Sequence, residues 1–167
     1  MQFSIGVEYA LHCLLYMVDI PNGKPIGIKD LATYQGVSET YLSKMYTKLR
    51  KSGIVKSISG VNGGYALARS PQDITFWDVV EAIEGKAAMF QCAEIRQKEV
   101  LLDKKNLPDS YTKCPCLIKV VMLEAEEKMR QYLSGKTLSW LHEQVADKIP
   151  PEHLDAMINW FNNPAAR

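Results

Sequence analysis

IGIKDLATYQGVSETYLSKMYTKLRKSGIVKSISGVNGGYALAR, Ile26 to Arg69, is the stretch whose reading decides the fold. Ile28 to Gln35 predicts a short helix with Leu31 and Ala32 inward, and Gly36 can end it in a left-handed conformation. Ser38 is placed to cap the next helix, and Glu39 in its first turn suits the helix dipole. In that helix Leu42, Met45, Tyr46 and Leu49 share one face, while Ser43, Lys44, Thr47, Lys48 and Lys51 lie largely on the other. Between Lys44 and Lys56 stand Lys44, Lys48, Arg50, Lys51 and Lys56, with no acidic residue. Gly53 ends this helix. Two strand-like runs follow, Ile54–Ser59 and Tyr65–Arg69, around Gly60-Val61-Asn62-Gly63-Gly64. Glycine and asparagine permit the positive backbone dihedrals of a tight hairpin tip. A helix pair with a basic second helix and a glycine-rich hairpin beside it meets the needs of a winged helix-turn-helix.

The chemistry assigned to these residues follows from groove dimensions. A helix fits the major groove, where residues near its N-terminus reach base edges and later cations meet phosphates. Ser38, Thr40, Tyr41 and Lys44 fall in the first group, and Lys48 and Lys51 in the second. The competing reading of the same helix is a solvated basic face. The hairpin weighs against it, because a tip of small residues lets backbone approach a minor groove or a phosphate.

Outward from this device, residues 4–19 read as a helix. Val7, Ala10, Leu11, Leu14, Leu15 and Val18 form one apolar stripe, Ser4 can cap the start, and Pro21-Asn22-Gly23 breaks the end. Thr75-Phe76-Trp77-Asp78 has capping-box spacing with Asp in place of Glu, and Val79, Val80 and Ile83 follow before Gly85. Residues 86–116 read as a loop-rich segment with one helical piece. A long helix is expected from Leu117 to Leu133, in which Ile118, Met122, Ala125, Met129 and Tyr132 step by four and three residues. That stripe is either a dimer seam or a face that packs on its own domain. Leu138–Val145 is a short helix after Thr137, and Pro150-Pro151 opens a last one, carrying Leu154, Ile158 and Phe161 and expected to dock on the dimer. The expected organisation is a DNA-binding domain over 1–85, a cysteine-containing sensor segment over 86–116, a dimerisation helix and short following helix over 117–149, and a helical tail over 150–167.

The totals bound the function classes. Of 167 residues, 47% are hydrophobic and 23% charged, as in an ordinary globular protein. Residues 1–70 hold eight Lys/Arg against four Asp/Glu, a net of +4; since the whole chain is +1, the remainder is −3. A basic half and a more acidic half suit a nucleic-acid-binding region joined to a sensor or partner region. The N-terminal apolar residues alternate with Glu8, His12 and Asp19, so neither a signal peptide nor a membrane span is expected, and the location expected is the cytoplasm. His12, His142 and His153 form no ligand spacing, and no phosphate loop, paired-carboxylate or metalloprotease motif appears, so an enzyme is not expected. Cys13 lies beside the apolar stripe of the first helix and reads as a structural thiol.

The segment YLSKMYTKLRKSGIVKSISGVNGGYALAR, with SIGVEYALHCLLYM at the N-terminus, closely resembles the family of bacterial winged-helix regulators that includes IscR, NsrR and CymR. The resemblance covers residues 1 to about 85, and less specifically the helix from Leu117. It implies a mainly α fold with a small β-hairpin wing (α+β), and a homodimer on a palindromic double-stranded operator with the long helix crossing to the partner. It places Ser38, Thr40, Tyr41, Ser43 and Lys44 in the major groove, and the tip from Ser59 through Val61, Asn62, Gly63 and Gly64 near the minor groove. Two positions depart from the family pattern. Ser59 stands where members often carry Arg before the wing glycine, and Ser43 where some carry an acid for base discrimination.

The resemblance also implies that Cys92, Cys114 and Cys116 lie in the sensor region. Three thiolates there can hold an iron–sulfur cluster with a fourth ligand from elsewhere. Cluster-binding relatives space their cysteines a few residues apart, whereas Cys92 and Cys114 are widely separated, and Lys119 stands where one branch has a ligating His. The alternatives are a thiol switch, with Cys92 oxidising onto Cys114 or Cys116, and cysteines with no sensing role. No cofactor is required by the fold. The function expected is a dimeric DNA-binding regulator, a repressor, answering a redox or metabolic signal, with a regulatory protein or small-molecule effector as a further partner. The rival is a winged-helix protein-interaction module with structural cysteines.

Overall fold

The computed structural model describes residues 2–20, 23–61, 63–86 and 88–163. Its helices are α1 (Ile5–Val18), α2 (Ile28–Gln35), α3 (Glu39–Lys51), α4 (Phe76–Glu84), α5 (Asp109–Thr112), α6 (Leu117–Ser134), α7 (Leu138–Ala146) and α8 (Pro151–Asn162), and its strands are β1 (Val55–Ile58) and β2 (Gly64–Leu67). The chain divides into two compact units, one of residues 2–85 with 133–163 and the other of residues 86–132.

The larger unit is a winged helix-turn-helix. Local chemistry sets its helix ends. Gly36 closes α2 at φ 71°, returning its N–H to Ala32 and Thr33, a conformation that suits glycine because no Cβ opposes it. Ser38 caps α3 by accepting the Tyr41 N–H at 3.4 Å. Thr75 and Asp78 form the full capping box of α4, each side chain taking the other's backbone N–H at 3.0 Å. Ser4 takes a different role from the expected cap: its hydroxyl and N–H both donate to the Glu84 carboxylate at the end of α4, at 2.7 and 2.9 Å.

The core is continuous through this unit. Leu14, Leu31, Leu42, Tyr46, Leu49, Ile54, Ile74, Val79 and Leu138 are fully buried. The buried face of α1 is wider than its stripe predicts, because Gly6, Cys13 and Met17 are buried as well. The cause is that α1 packs against α3, α4 and α7 and touches β2, so it is covered on more than one side. Burial pushes the Cys13 thiol up to about 12, which keeps it neutral, in keeping with a structural role.

α7 and α8 belong to this core. Leu138, Met157 and Phe161 join the buried cluster, and Leu133 at the end of α6 packs on it. A backbone bridge, Thr75 to Thr137, carries the junction: Phe76 N–H donates to Lys136 at 2.8 Å and Leu138 N–H to Ile74 at 2.9 Å. Phe161 lies 5.0 Å from the Tyr34 ring, so α8 sits on α1 and α2. Within the chain, an apolar face of α8 finds aromatic partners on α1 and α2.

β1 and β2 pair antiparallel, Val55 with Leu67 through Ile58 with Gly64. Ile26 adds an isolated antiparallel bridge to β2 by exchanging two hydrogen bonds with Tyr65, at 2.8 and 2.9 Å. This close approach requires glycine at position 64: a Cβ there would run into the Ile26 carbonyl oxygen.

Residues 86–132 are loop-rich up to α6, with a 3₁₀ turn at Ile95–Lys98 and the single-turn α5. Among the described residues, no helix is long and apolar enough to cross a membrane.

Candidate nucleic-acid interface and cysteine unit

The polar side of α3 carries Ser38, Thr40, Lys44, Arg50 and Lys51, all exposed. β1 and the tip beside it present Lys56, Ser59, Gly60 and Val61, also exposed. Asn62 lies outside the described residues. Gly63 and Gly64 are half-buried at the base of the tip, where Gly63 N–H donates to Gly60 at 2.9 Å. Cations on a helix next to a tip of small residues can meet phosphates while short polar side chains reach base edges.

Two of the residues named from sequence, Tyr41 and Lys48, have side chains held by the protein, and Ser43 is half-buried. The Tyr41 ring packs edge-on against Tyr9 at 5.9 Å and rests on the core, leaving it half-buried. Ser43 is also half-buried, and its carbonyl accepts the Thr47 hydroxyl at 2.9 Å. Lys48 is exposed along its stem, but its ammonium donates to the Ile83 carbonyl at 2.6 Å. Ile83 belongs to the last turn of α4, where unpaired carbonyls attract a cation. Arg50 and Lys56, within the basic run but given no role by the sequence reading, are the additional exposed cations on this side.

In the second unit the cysteines do not converge as a trio. Cys92, Cys114 and Cys116 are free thiols; Cys92 and Cys116 are half-buried, whereas Cys114 is exposed. Cys116 directly precedes α6. The backbone N–H of Lys119, then that of Ile118, then the Cys92 thiol and the Arg96 charge hold its thiol below the ordinary range. Arg96 organises this corner: it pairs with Glu94 at 2.9 Å and donates to the carbonyls of Ser110 at 3.1 Å and Cys114 at 2.5 Å. Arg96 holds the Glu94 carboxyl below its usual range. Sequence reasoning missed Arg96, for its partners lie on a segment with no periodic signal. Among the described residues, no three His, Cys, Asp or Glu side chains are grouped to hold a metal ion. Within one chain, the described residues do not bring three thiolates together as ligands for a cluster.

α6 has no buried residue. Ile118 is 67% exposed, Met122 43% and Tyr132 66%; Ala125 is exposed and Met129 half-buried. Val121, 61% exposed, lies on the same face one turn from Ile118 and Ala125 and widens the stripe read from sequence. In the larger unit, an open groove of about 1000 Å³ runs between α1 and the α7–α8 region, lined by Phe3, Ile5, Leu11, Leu15, Val145 and Ile149 among others.

The family model described as "Rrf2: Iron-dependent Transcriptional regulator" matches residues 3–144. The chain belongs to the Rrf2 family. It is 33% identical over 139 residues to the protein rrf2 of Nitratidesulfovibrio vulgaris, covering 83% of this chain and 85% of that protein. It is 31% identical over 146 residues to the transcriptional regulator NsrR of Geobacillus kaustophilus, covering 87% and 92%. Among solved structures, T. potens IscR superposes with a TM-score of 0.65 at 23% identity, covering 92% of this chain and 96% of that one. The oxidized form of Staphylococcus aureus CymR superposes with a TM-score of 0.61 at 22% identity, covering 86% and 97%. The fold is the winged helix of Rrf2 regulators, mainly helical with a two-stranded wing, and the protein is a DNA-binding transcriptional regulator.

Proposed function

We propose that this Rrf2 protein is a homodimeric repressor that binds a palindromic operator and is modulated by a redox signal through residues 86–132. The observation that carries the DNA-binding geometry is the exposed row Ser38, Thr40, Lys44 and Lys51 on α3 beside the exposed wing tip. Ser38, Thr40 and Lys44 read base edges in the major groove, Lys51 meets phosphate, and Ser59 to Gly64 lies along the minor groove. Tyr41 and Lys48 hold the helix in place and contribute to DNA contact mainly by fixing its position, and half-buried Ser43 lies beside the major-groove set.

One recognition helix offers few base contacts, and a two-fold dimer doubles them across half-sites. The exposed face of Ile118, Val121, Met122, Ala125 and Tyr132 on α6 supports dimerisation, since a contiguous apolar strip of this kind needs cover. The groove beside α1 is a further apolar surface for a second copy to cover. A signal acts by favouring one dimer geometry over another, since equal affinity for both would move nothing.

The test is a genome-wide footprint of bound DNA in cells, joined to transcript levels with and without the gene. Two-fold symmetric sites overlapping promoters, with transcripts that rise when the gene is deleted, are expected. Footprints lacking two-fold symmetry overturn the dimer, and transcripts that fall on deletion overturn the repressor assignment. A winged helix acting only as a protein-interaction module would leave no footprint at all.

A further inference from the structure

α8 grips both segments that lead into the DNA-binding face. On one side four aromatic rings meet: Tyr16 of α1, Tyr34 of α2, and Trp160 and Phe161 of α8. The Tyr34 centroid lies 5.0 Å from Phe161, 5.1 Å from Tyr16 and 5.9 Å from Trp160. The Tyr16 hydroxyl hydrogen-bonds to Gln35 Oε1, which ties the last residue of α2 to α1 as well. On the other side Lys24 Nζ donates to Asn162 Oδ1 at 3.1 Å and to the Asn162 carbonyl at 3.5 Å. Close after Lys24 comes Ile26, whose backbone exchanges hydrogen bonds with Tyr65 at the base of the wing. The match to the family model ends at residue 144, before α8 begins. α2 needs this support. A helix of eight residues is marginal on its own, and α2 buries only Leu31 and Ala32 fully. Ile28 and Tyr34 pack on the core in part, and it is the Tyr34 ring that α8 covers. Gly36 and Val37 return their N–H groups to Thr33 and Ala32, and Ser38 follows directly as the cap of α3. A tilt of α2 is therefore passed to the first turn of α3.

We infer that α8 is a brace for operator reading. The Phe161–Tyr34 contact and the Asn162–Lys24 bond position α2 and the base of the wing, and through them the N-terminus of α3, without touching DNA. Phe161 and Asn162 are positioning residues. Their effect falls on sequence readout more than on general affinity. Ser38 and Thr40 are short side chains that reach base edges only when the start of α3 is correctly placed. Lys51, at the far end of α3, meets phosphate, and that attraction is independent of sequence. Loosening the brace lowers the fraction of molecules with α3 in its reading position, and the apparent operator affinity falls by that fraction. The inference rests on the assignment of α3 and the wing as the DNA-binding face made above.

The experiment titrates full-length Phe161→Leu, Asn162→Ala and Asn162→Asp against an operator duplex recovered by the footprint. A scrambled duplex of the same length is titrated at the same salt concentration. Phe161→Leu removes the ring but keeps apolar bulk at a site only 4% exposed. Asn162→Ala removes the side-chain acceptor and leaves Lys24 its charge, so a lost phosphate contact cannot explain its effect. Circular dichroism and denaturant midpoints set a temperature at which the variants are folded. Phe161→Leu is expected to weaken operator binding about tenfold and Asn162→Ala about threefold, with the scrambled duplex changed less than about twofold. Asn162→Asp, which keeps an oxygen acceptor for Lys24, is expected to bind as wild type does. Wild-type operator affinity in Phe161→Leu, or in Asn162→Ala should Phe161→Leu not fold, would overturn the brace. So would equal losses on the two duplexes, which mark a general loss of folded protein. Lys44→Ala is run alongside to separate two failures. If the α3 reading fails, Lys44→Ala binds the operator as tightly as wild type; if the brace alone fails, Lys44→Ala is weakened and the α8 variants are not.

Discussion

Lys48 on α3 reaches across to Ile83 at the end of α4, its ammonium 2.6 Å from that carbonyl. The contact joins two helices of the DNA-binding unit and removes one cation from the set free to meet phosphate. Lys44 and Lys51, on the same helix, remain exposed. Each phosphate contact contributes roughly 0.9 to the slope of log affinity against log salt on duplex DNA. Lys44→Ala and Lys51→Ala are each expected to flatten that slope by about one unit. Lys48→Ala is expected to leave the slope nearly unchanged and to cost about 1 kcal/mol of stability, the worth of a charge-assisted bond in a partly solvated setting. Titrations on an operator duplex at several salt concentrations, with urea unfolding of the same variants, separate the two roles. A slope change for Lys48→Ala equal to that of Lys44→Ala would return it to the phosphate set.

Gly64→Ala tests the base of the wing. The added Cβ would meet the Ile26 backbone oxygen, and backbone cannot swing away as a flexible side chain can. A destabilisation of about 2 kcal/mol or more is expected, with weaker DNA binding because the hairpin shifts. Gly60→Ala is the control for added bulk, since open space surrounds its Cβ position although its φ of 122° still opposes a side chain. Denaturant midpoints should therefore fall further for Gly64→Ala.

Met122→Glu tests the seam. A carboxylate in the middle of the exposed α6 strip would have to be desolvated in any two-fold pairing. The variant is expected to elute as an 18.8 kDa monomer, to keep its circular dichroism, and to lose most of its operator affinity. A variant of unchanged mass in solution would move the dimer interface away from this face.

Cys13 gives a pH prediction with a definite sign. Its thiol rises from an ordinary 9.0 to about 12 in the folded protein because burial disfavours the thiolate. The raised value means the folded state holds the proton more tightly, so the stability it contributes is fully present below about pH 9 and is lost as pH rises towards 12. Wild type is expected to lose more stability than Cys13→Ala across that window. Equal losses in the two proteins, measured by denaturant unfolding, would show that another group dominates.

Much of the DNA-binding unit is legible in the chain because its signals are local. Gly36, Ser38, Gly53 and the Thr75–Asp78 pair act within a few residues of themselves, and the helix ends fall at or next to them. The wing is equally local, since a tip rich in glycine between two short runs has few ways to fold. α6 is legible in extent but not in role, because periodicity marks an apolar face without saying what covers it.

The sequence by itself therefore determined the helix-turn-helix, its wing, the basic run from Lys44 to Lys56 and the family. Caps, turns and periodic faces act over distances of one helical turn. The tertiary structure alone decided that Tyr41 turns inward, that Lys48 serves α4, that Thr75 and Thr137 bring α7 onto the winged helix, and that Arg96 holds the Ser110 and Cys114 carbonyls. Each of those pairs residues well apart in the chain. Which distant surfaces meet is set by the packing of the whole chain, and no local pattern encodes it.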